Sequence, residues 1–141
     1  MGIFQGLAGN MQQISEQEAH GEYGQWLLEH EQIQSAYKML RDGFCITNHR
    51  IITLDRQGAT GKKARVRSIA LHAIVDVTAE TAGTMDDSEI TLTYITTPRL
   101  RANVVEYSSY TFEFPRNFDV AALYRYFMAV AMGNVAKLNE S

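Results

Sequence analysis

The stretch 37–55 constrains the fold more than any other part of the chain, because it consists of strand-like apolar runs separated by short polar breaks. An Asp-Gly pair between such runs is a strong hairpin signal, so we predict a first turn at 41–43. We predict a second turn at 47–50, where Asn48 tolerates a left-handed backbone. The stretch therefore predicts the start of an antiparallel meander.

The composition is typical of one soluble globular domain, with 141 residues, 45% hydrophobic content and a net charge of −3. A chain of this length can bury a core without disulfides, and we expect the single cysteine, Cys45, to be a small buried hydrophobe. The negative net charge argues against a nucleic-acid partner. Neither a signal peptide nor an apolar run of ~18 residues is present, so we expect a cytoplasmic protein.

Helical patterns precede the strands. Apolar residues at helical spacing up to Ile14 predict a marginal amphipathic helix, which would dock on its own domain or on a neighbouring subunit. A membrane surface is the alternative, although residues 1–37 contain no Lys or Arg to meet anionic lipid. The segment 15–18 is a capping box that starts a second helix. We expect Trp26 to anchor this segment and its glutamates, up to Glu31, to form a solvated face.

Strands are predicted to continue after residue 55. We expect a strand around Arg65 and Arg67, a short irregular link at 69–72, and further strands at 74–81, 90–96 and 104–114. The last of these carries aromatic residues on both faces, which predicts that part of it is covered on both sides.

The C-terminal segment predicts an apolar helix capped by Asn117 or Asp119. Between residues 120 and 132 the only charge is Arg125, which is too little for a helix with one wet side. We expect this helix to lie across the sheet, to meet another chain as well, and to weaken or end at a Gly-Asn pair at 133–134. Its predicted oligomer-interface residues are Tyr124, Phe127, Met128 and Ala131.

A glycine-containing loop carries the one basic concentration of the chain, which consists of Lys62, Lys63, Arg65 and Arg67. It is not a phosphate-binding P-loop, because Arg56 stands where the first glycine of that motif is needed. A G-x-x-G at 58–61 also matches nucleic-acid-binding KH modules, but that loop joins helices and this one joins strands. Two interpretations stay open: a solvated strand that protects a sheet edge, or a contact for an anion or a phospholipid.

The chain shows no catalytic or metal-binding motif. Its four histidines, at positions 20, 30, 49 and 72, do not form a metal-ligand spacing. The acidic run at 86–89 lacks the spacing of a calcium loop. We therefore expect a protein that is not an enzyme and that has no cofactor and no metal.

Residues 36–83 resemble the bacterial pleckstrin-homology (PH) domain family of small ring-forming proteins. The resemblance rests on an AYK-x-x-RD run at 36–42, a TN-x-R turn at 47–50, a D-x-QG-x-TGKK loop at 55–63 and an ETAG strand end at 80–83. It implies a mainly β fold, a PH-like barrel of about seven antiparallel strands in two near-orthogonal sheets, capped by a C-terminal helix. It also implies a homo-oligomer, a pentameric ring.

Together these observations predict a helical N-terminal extension at 1–30 and a PH-like domain at 31–138. The leading hypothesis is an oligomeric, non-enzymatic binding or scaffold module that recognises a protein partner. The alternative is a peripheral membrane or anionic-lipid binding module that uses the basic loop around Lys62. The candidate ligand-binding residues are Arg41, Arg50, Lys62 and Lys63.

Overall fold

The computed structural model describes residues 12–38, 42–83, 87–116 and 118–140. These residues divide into two compact units, one ending at Ile69 and the other beginning at Ala70. In chain order the elements are β1 (Gln12–Gln13), α1 (Glu16–Tyr23), β2 (Ile33–Lys38), β3 (Asp42–Thr47), β4 (Arg50–Gln57), β5 (Lys63–Ala70), β6 (Ile74–Glu80), β7 (Ser88–Ile95), β8 (Tyr107–Phe114) and α2 (Val120–Leu138), with 3-10 turns at Gly24–Trp26 and Leu71–Ala73.

The first predicted helix covers residues 1–14 and lies mostly outside the described residues, which begin at Gln12. Where the structure does describe its end, the chain is extended and not helical, because Gln12–Gln13 pairs with β2 as a short strand. Ile14 follows this strand and is buried. The apolar spacing up to Ile14 therefore does not mark a helix at these last positions.

The N-terminal unit is built on one sheet with the strand order β1-β2-β3-β4-β5. The pairs β2–β3 and β3–β4 are antiparallel, which confirms the predicted meander. Its apolar residues interlock across the strands: the rings of Tyr37 and Phe44 stack with their centroids 5.0 Å apart. The predicted turn at 47–50 is also present, because β3 ends at Thr47 and β4 begins at Arg50.

The Asp-Gly pair does not form the turn that the sequence predicts. Asp42 and Gly43 begin β3, where Gly43 pairs with Lys38 on one side and Leu54 on the other. A Cβ at position 43 would lie 2.8 Å from the carbonyl oxygen of Tyr37 and 2.9 Å from the hydroxyl of Tyr23. The glycine is required by close packing and not by a turn. Similarly, Asn48 is not left-handed, because His30 is the one described non-glycine residue with a positive φ.

The helix α1 packs on the first sheet. The hydroxyl of Ser15 accepts a hydrogen bond from the Glu18 amide at 3.1 Å, which confirms the predicted cap. Ala19 and Tyr23 are buried in one cluster with strand residues that include Cys45. The cysteine is fully buried, as predicted, and burial raises the pKa of its thiol to about 12.

Trp26 is not the anchor that we predicted, because its side chain is 40% exposed. The helix α1 ends at Tyr23 and the chain continues as a 3-10 turn, so the helical spacing that would have carried Trp26 inward is lost. Tyr23, at 2% exposure, anchors the segment instead. The aromatic residue nearest the helix end therefore does the packing.

The C-terminal unit combines the antiparallel sheet β6-β7-β8 with helix α2. The ring of Phe127 lies parallel to that of Phe112 at a centroid distance of 6.4 Å, which joins helix and sheet. The strand β8 begins only at Tyr107 and is not covered on both sides, because alternate residues from Tyr107 to Glu113 are exposed. The prediction from the aromatic residues on both faces therefore gave too much burial for this strand.

The helix α2 is longer than predicted. The side chain of Asp119 caps it by accepting a hydrogen bond from the Ala122 amide, whereas Asn117 lies outside the described residues. We predicted that the Gly-Asn pair at 133–134 would weaken or end the helix; it does not end there, since the helix continues to Leu138. The side-chain amide of Asn134 donates to the carbonyl oxygens of Leu71 at 2.7 Å and Ile74 at 2.8 Å. These two bonds offset the low helix propensity of the Gly-Asn pair.

We predict that Gly43→Ala lowers the free energy of unfolding by about 1–3 kcal/mol, because the added methyl group overpacks the space between Tyr37 and Tyr23. Gly21→Ala is the matched control. Position 21 lies in α1 with no atom within 4 Å of an added Cβ, so this change should raise stability by about 0.5–1 kcal/mol. Urea unfolding of both variants checks the pair, and equal stability of Gly43→Ala and the wild type would contradict the packing role.

Candidate functional site

The side chain of Arg50 forms a buried ion pair with Glu31. Its Nε lies 2.8 Å from Oε2 of Glu31 and its Nη2 lies 2.9 Å from Oε1, so the contact is bidentate. The carboxylate side chain is fully buried and that of Arg50 is 18% exposed. Bidentate arginine–carboxylate pairs are the strong form of this interaction, since two charge-assisted hydrogen bonds fix the geometry.

Two further donors complete the environment of the Glu31 carboxylate. The Thr47 hydroxyl donates to Oε2 at 2.6 Å, and the Leu28 amide donates to Oε1 at 2.9 Å. The hydrogen bonds from Arg50, Leu28 and Thr47 outweigh burial and lower the pKa of Glu31 from 4.5 to about 2. Because this folded-state pKa is depressed, the pair stabilises the fold above about pH 4.5 and is lost as the pH falls towards 2.

Arg50 also binds two other protein groups. Its Nη1 donates to the hydroxyl of Ser68 at 2.6 Å, and its Nη2 donates to the carbonyl oxygen of Trp26 at 2.5 Å. Each of the three guanidinium nitrogens therefore has a protein acceptor, and four of its five N–H groups are used. An external ligand at Arg50 would meet only the second N–H of Nη1 or would have to displace one of these acceptors.

The neighbouring Asn48 extends this arrangement along the chain. Its amide donates to the Gln32 carbonyl oxygen at 3.0 Å, and its side-chain oxygen accepts from the Gln32 amide at 2.9 Å. In the TN-x-R turn, Thr47, Asn48 and Arg50 thus each hold the segment 26–32 in place. We define these contacts, centred on Glu31 and Arg50, as the Glu31–Arg50 node.

The sequence did not reveal the part that Glu31 plays in this node. We interpreted it as one residue of a solvated acidic face, whereas its side chain is the most buried carboxylate among the described ion pairs. It meets an arginine 19 positions away, and no local spacing signals such a pairing. The one available signal was the resemblance motif, which contains the arginine but not its partner.

The basic loop has a different character, because its charged side chains point into solvent. Lys62 and Lys63 are exposed, as are Arg65 and Arg67 on β5. Gly58 and Gly61 have φ values of 79° and 69°, a conformation that other residues adopt only with strain. The glycines of this motif therefore form a tight turn that presents the basic residues at the start of the last strand in the sheet order.

The structure does not bring the predicted ligand-binding residues into one site. Arg50 begins β4 and Lys63 begins β5, so they lie at opposite ends of this strand pair, separated by roughly 20 Å. Lys62 belongs to the loop beside Lys63. Arg41 lies outside the described residues.

Helix α2 distributes its predicted interface residues between core and surface. Phe127 and Ala131 are fully buried in the chain itself, whereas Tyr124 and Met128 are half-buried. The most exposed large apolar side chain of this helix is Met132, at 63%, followed by Val135 at 38%. The sequence indicated a helix that is apolar on two sides, but it did not show which side faces the sheet.

Within the described part of the chain, the structure has no group of three or more His, Cys, Asp and Glu residues placed to hold a metal ion. Over the same residues, none of the helices combines the length and apolar character that a membrane crossing needs.

Comparison with known proteins identifies the family. The model of the bacterial PH domain family matches residues 2–131. The chain is 41% identical over 91 residues to the uncharacterised protein YjqA of Bacillus subtilis (strain 168), covering 64% of this chain and 73% of that protein.

Two solved structures are also similar. A DUF1696 family protein with a pleckstrin-homology domain from Shewanella loihica PV-4 has a TM-score of 0.63 and 30% identity, covering 88% of this chain and 99% of its own. A pleckstrin homology domain from Shewanella amazonensis SB2B has a TM-score of 0.64 and 35% identity, covering 87% and 93%. These likenesses confirm the predicted PH-like, mainly β fold class, and the chain belongs to the bacterial PH domain family.

Proposed function

We propose that this protein is a non-enzymatic binding or scaffold module that assembles into a homo-oligomeric ring of five subunits and recognises a protein partner. Membership of the PH domain family supports a binding module, although a fold alone does not fix what is bound. Under this proposal the protein acts in the cytoplasm.

The observation that carries the assembly is the exposed apolar side of α2. Met132 and Val135 face solvent on a helix whose opposite side already packs on its own sheet. A second exposed apolar pair lies in the same unit. Val104, which is 81% exposed, comes before β8, and Tyr107, which is 60% exposed, is the first residue of that strand. A ring requires two different surfaces that meet head to tail, and these two patches supply a candidate for each. Exposed apolar patches on a folded chain are typical of interfaces.

The protein partner is expected at another surface, on the segment held by the Glu31–Arg50 node. Trp26 and Leu28 are exposed by 40% and 64%. The Trp26 carbonyl oxygen accepts a hydrogen bond from Arg50, and the Leu28 amide donates one to Glu31. Large apolar side chains on a preorganised backbone bind with little loss of conformational entropy, and Trp is enriched at binding hot spots.

We predict that native mass spectrometry of the wild-type protein shows a single closed oligomer of five subunits. The double variant Met132→Glu/Val135→Glu should shift the protein to monomer, because each subunit would bury two uncompensated carboxylates at the interface. Circular dichroism would verify that the variant stays folded, as expected for exposed positions. Gln25→Glu, an exposed substitution in the other unit, is the control and should leave the oligomer intact. A monomeric wild type, or an oligomer that survives both glutamates, would refute the proposed assembly.

A second function is favoured by one observation, the exposure of four cations on the basic loop and β5. Under this alternative the protein is a peripheral membrane module that binds anionic lipid through Lys62, Lys63, Arg65 and Arg67. A cation near an anionic membrane surface contributes about 1 kcal/mol, so Lys62, Lys63 and Arg65 together give about 3 kcal/mol at low salt. That is enough for weak, salt-sensitive attachment.

For the lipid alternative, we predict that phosphatidylserine vesicles sediment the protein at low salt and release it at high salt, because salt screens the contact. Lys62→Glu/Lys63→Glu should abolish sedimentation. Arg99→Glu/Arg125→Glu changes the net charge equally at exposed positions outside the loop and should retain it. The lipid alternative fails if the wild type does not sediment at low salt, or if both double variants lose binding to the same extent.

A further inference from the structure

The C-terminal unit contains a cavity of about 390 Å³ that neither the proposed assembly nor the lipid alternative uses. Three segments meet around it: the 3-10 turn before β6, the turn between β7 and β8, and the last turns of α2. Its lining residues are His72, Leu100, Arg101, Asn134, Lys137 and Leu138. The volume lies within the range of small-molecule sites, about 300–1,000 Å³.

Two cations line the cavity. Arg101 and Lys137 each carry a full charge, and none of the described carboxylates forms an ion pair with either of them. The C-terminus of α2 opposes them with about half a negative charge, and Glu140, two residues beyond the helix end, carries a negative charge as well. Arg101 uses Nη2 to bind the Glu140 carbonyl oxygen at 2.6 Å. Its other guanidinium donors have no hydrogen bond to the described residues, and they point to an anionic group as the preferred occupant.

Besides the two cations, the walls of the cavity contain apolar side chains and a hydrogen-bonding asparagine. Leu100 and Leu138 supply apolar surface beside the two cations. Asn134 uses its side-chain N–H groups to bind the carbonyl oxygens of Leu71 and Ile74. Since these bonds run between α2 and the turn that carries His72, they hold two of the three walls together. The cavity therefore has two fixed walls and combines charge with apolar surface, as ligand sites do, while its cations Arg101 and Lys137 are exposed to solvent.

We infer that this cavity binds a small amphipathic carboxylate, with the acidic group between Arg101 and Lys137 and the apolar body against Leu100 and Leu138. The inference does not depend on the proposed ring. The cavity residues of α2 are 134, 137 and 138, which are one helical side, whereas Met132 and Val135 are exposed on another part of the helix surface. A protein that fails to assemble would still carry the site.

The test is a titration of the ¹⁵N-labelled full chain with sodium octanoate, followed by backbone amide chemical shifts. Acetate tests the charge alone and 1-octanol tests the apolar body alone. We expect octanoate to shift the amides of the cavity residues with one-site saturation, and to bind at least tenfold more tightly than either control compound. Arg101→Gln/Lys137→Gln should weaken octanoate at least tenfold. Arg125→Gln removes an exposed cation elsewhere on α2 and should leave the affinity unchanged.

Three results would overturn the inference. The first is octanoate that causes no saturable shifts at the cavity. The second is acetate that binds as tightly as octanoate, which would mean a non-selective anion contact. The third is an Arg101→Gln/Lys137→Gln variant that stays folded and binds octanoate like the wild type.

Discussion

The N-terminal unit depends on one interaction, the buried pair between Glu31 and Arg50. A carboxylate removed from water costs several kcal/mol unless it is paired and hydrogen-bonded. Glu31 meets that demand with four donors, from Arg50, Thr47 and the Leu28 amide. These contacts can form together only when the segment before β2 and the β3–β4 turn are both in place. The bond from Arg50 to Ser68 adds β5, so the pair and its neighbouring bonds connect three parts of the unit.

This interpretation changes the meaning of the TN-x-R motif. A conspicuous arginine next to a turn suggests a ligand contact, and we predicted one at Arg50. Its nitrogens instead bind Glu31, Trp26 and Ser68. The node binds the backbone of Trp26 and Leu28, and the side chains of these two residues are exposed. Under our proposal the motif acts indirectly, since it fixes the backbone that presents a surface to a partner.

The C-terminal unit is held by packing and not by charge. The parallel rings of Phe112 and Phe127 join helix to sheet, and Asn134 ties the helix to the turn before β6. With one side of α2 occupied in this way, Met132 and Val135 face outward. The same helix therefore supplies core and part of the cavity wall on one side, because Asn134 and Leu138 continue the stripe of Phe127 and Ala131, and exposed apolar surface on another part.

Local signals in the sequence predicted local structure well, and the failures have physical causes. The capping box at Ser15, the turn before Arg50 and the burial of Cys45 all depend on neighbouring residues, and all are confirmed. The prediction at Gly43 was wrong because an Asp-Gly pair usually indicates a turn, whereas this glycine is needed for a tertiary contact with Tyr23 that the sequence does not show.

The longer-range features were beyond a single sequence for the same reason. Glu31 pairs with a residue 19 positions away, and Asn134 in α2 binds carbonyl groups 60 and 63 positions away. The cavity combines residues from three separate segments, so no pattern along the chain predicts it. Of the candidate ligand residues, Lys62 and Lys63 are exposed as a basic loop suggests, but charge alone does not name their ligand.

The most direct test of this account is a double-mutant cycle on Glu31 and Arg50, measured by urea unfolding at pH 7. The four proteins are the wild type, Glu31→Gln, Arg50→Gln and the double variant. We predict a coupling free energy of about 2 kcal/mol or more, which should shrink as the pH approaches 2 and Glu31 becomes protonated. A coupling below about 0.5 kcal/mol at pH 7 would mean that the two residues act independently, and would contradict the central role of the pair.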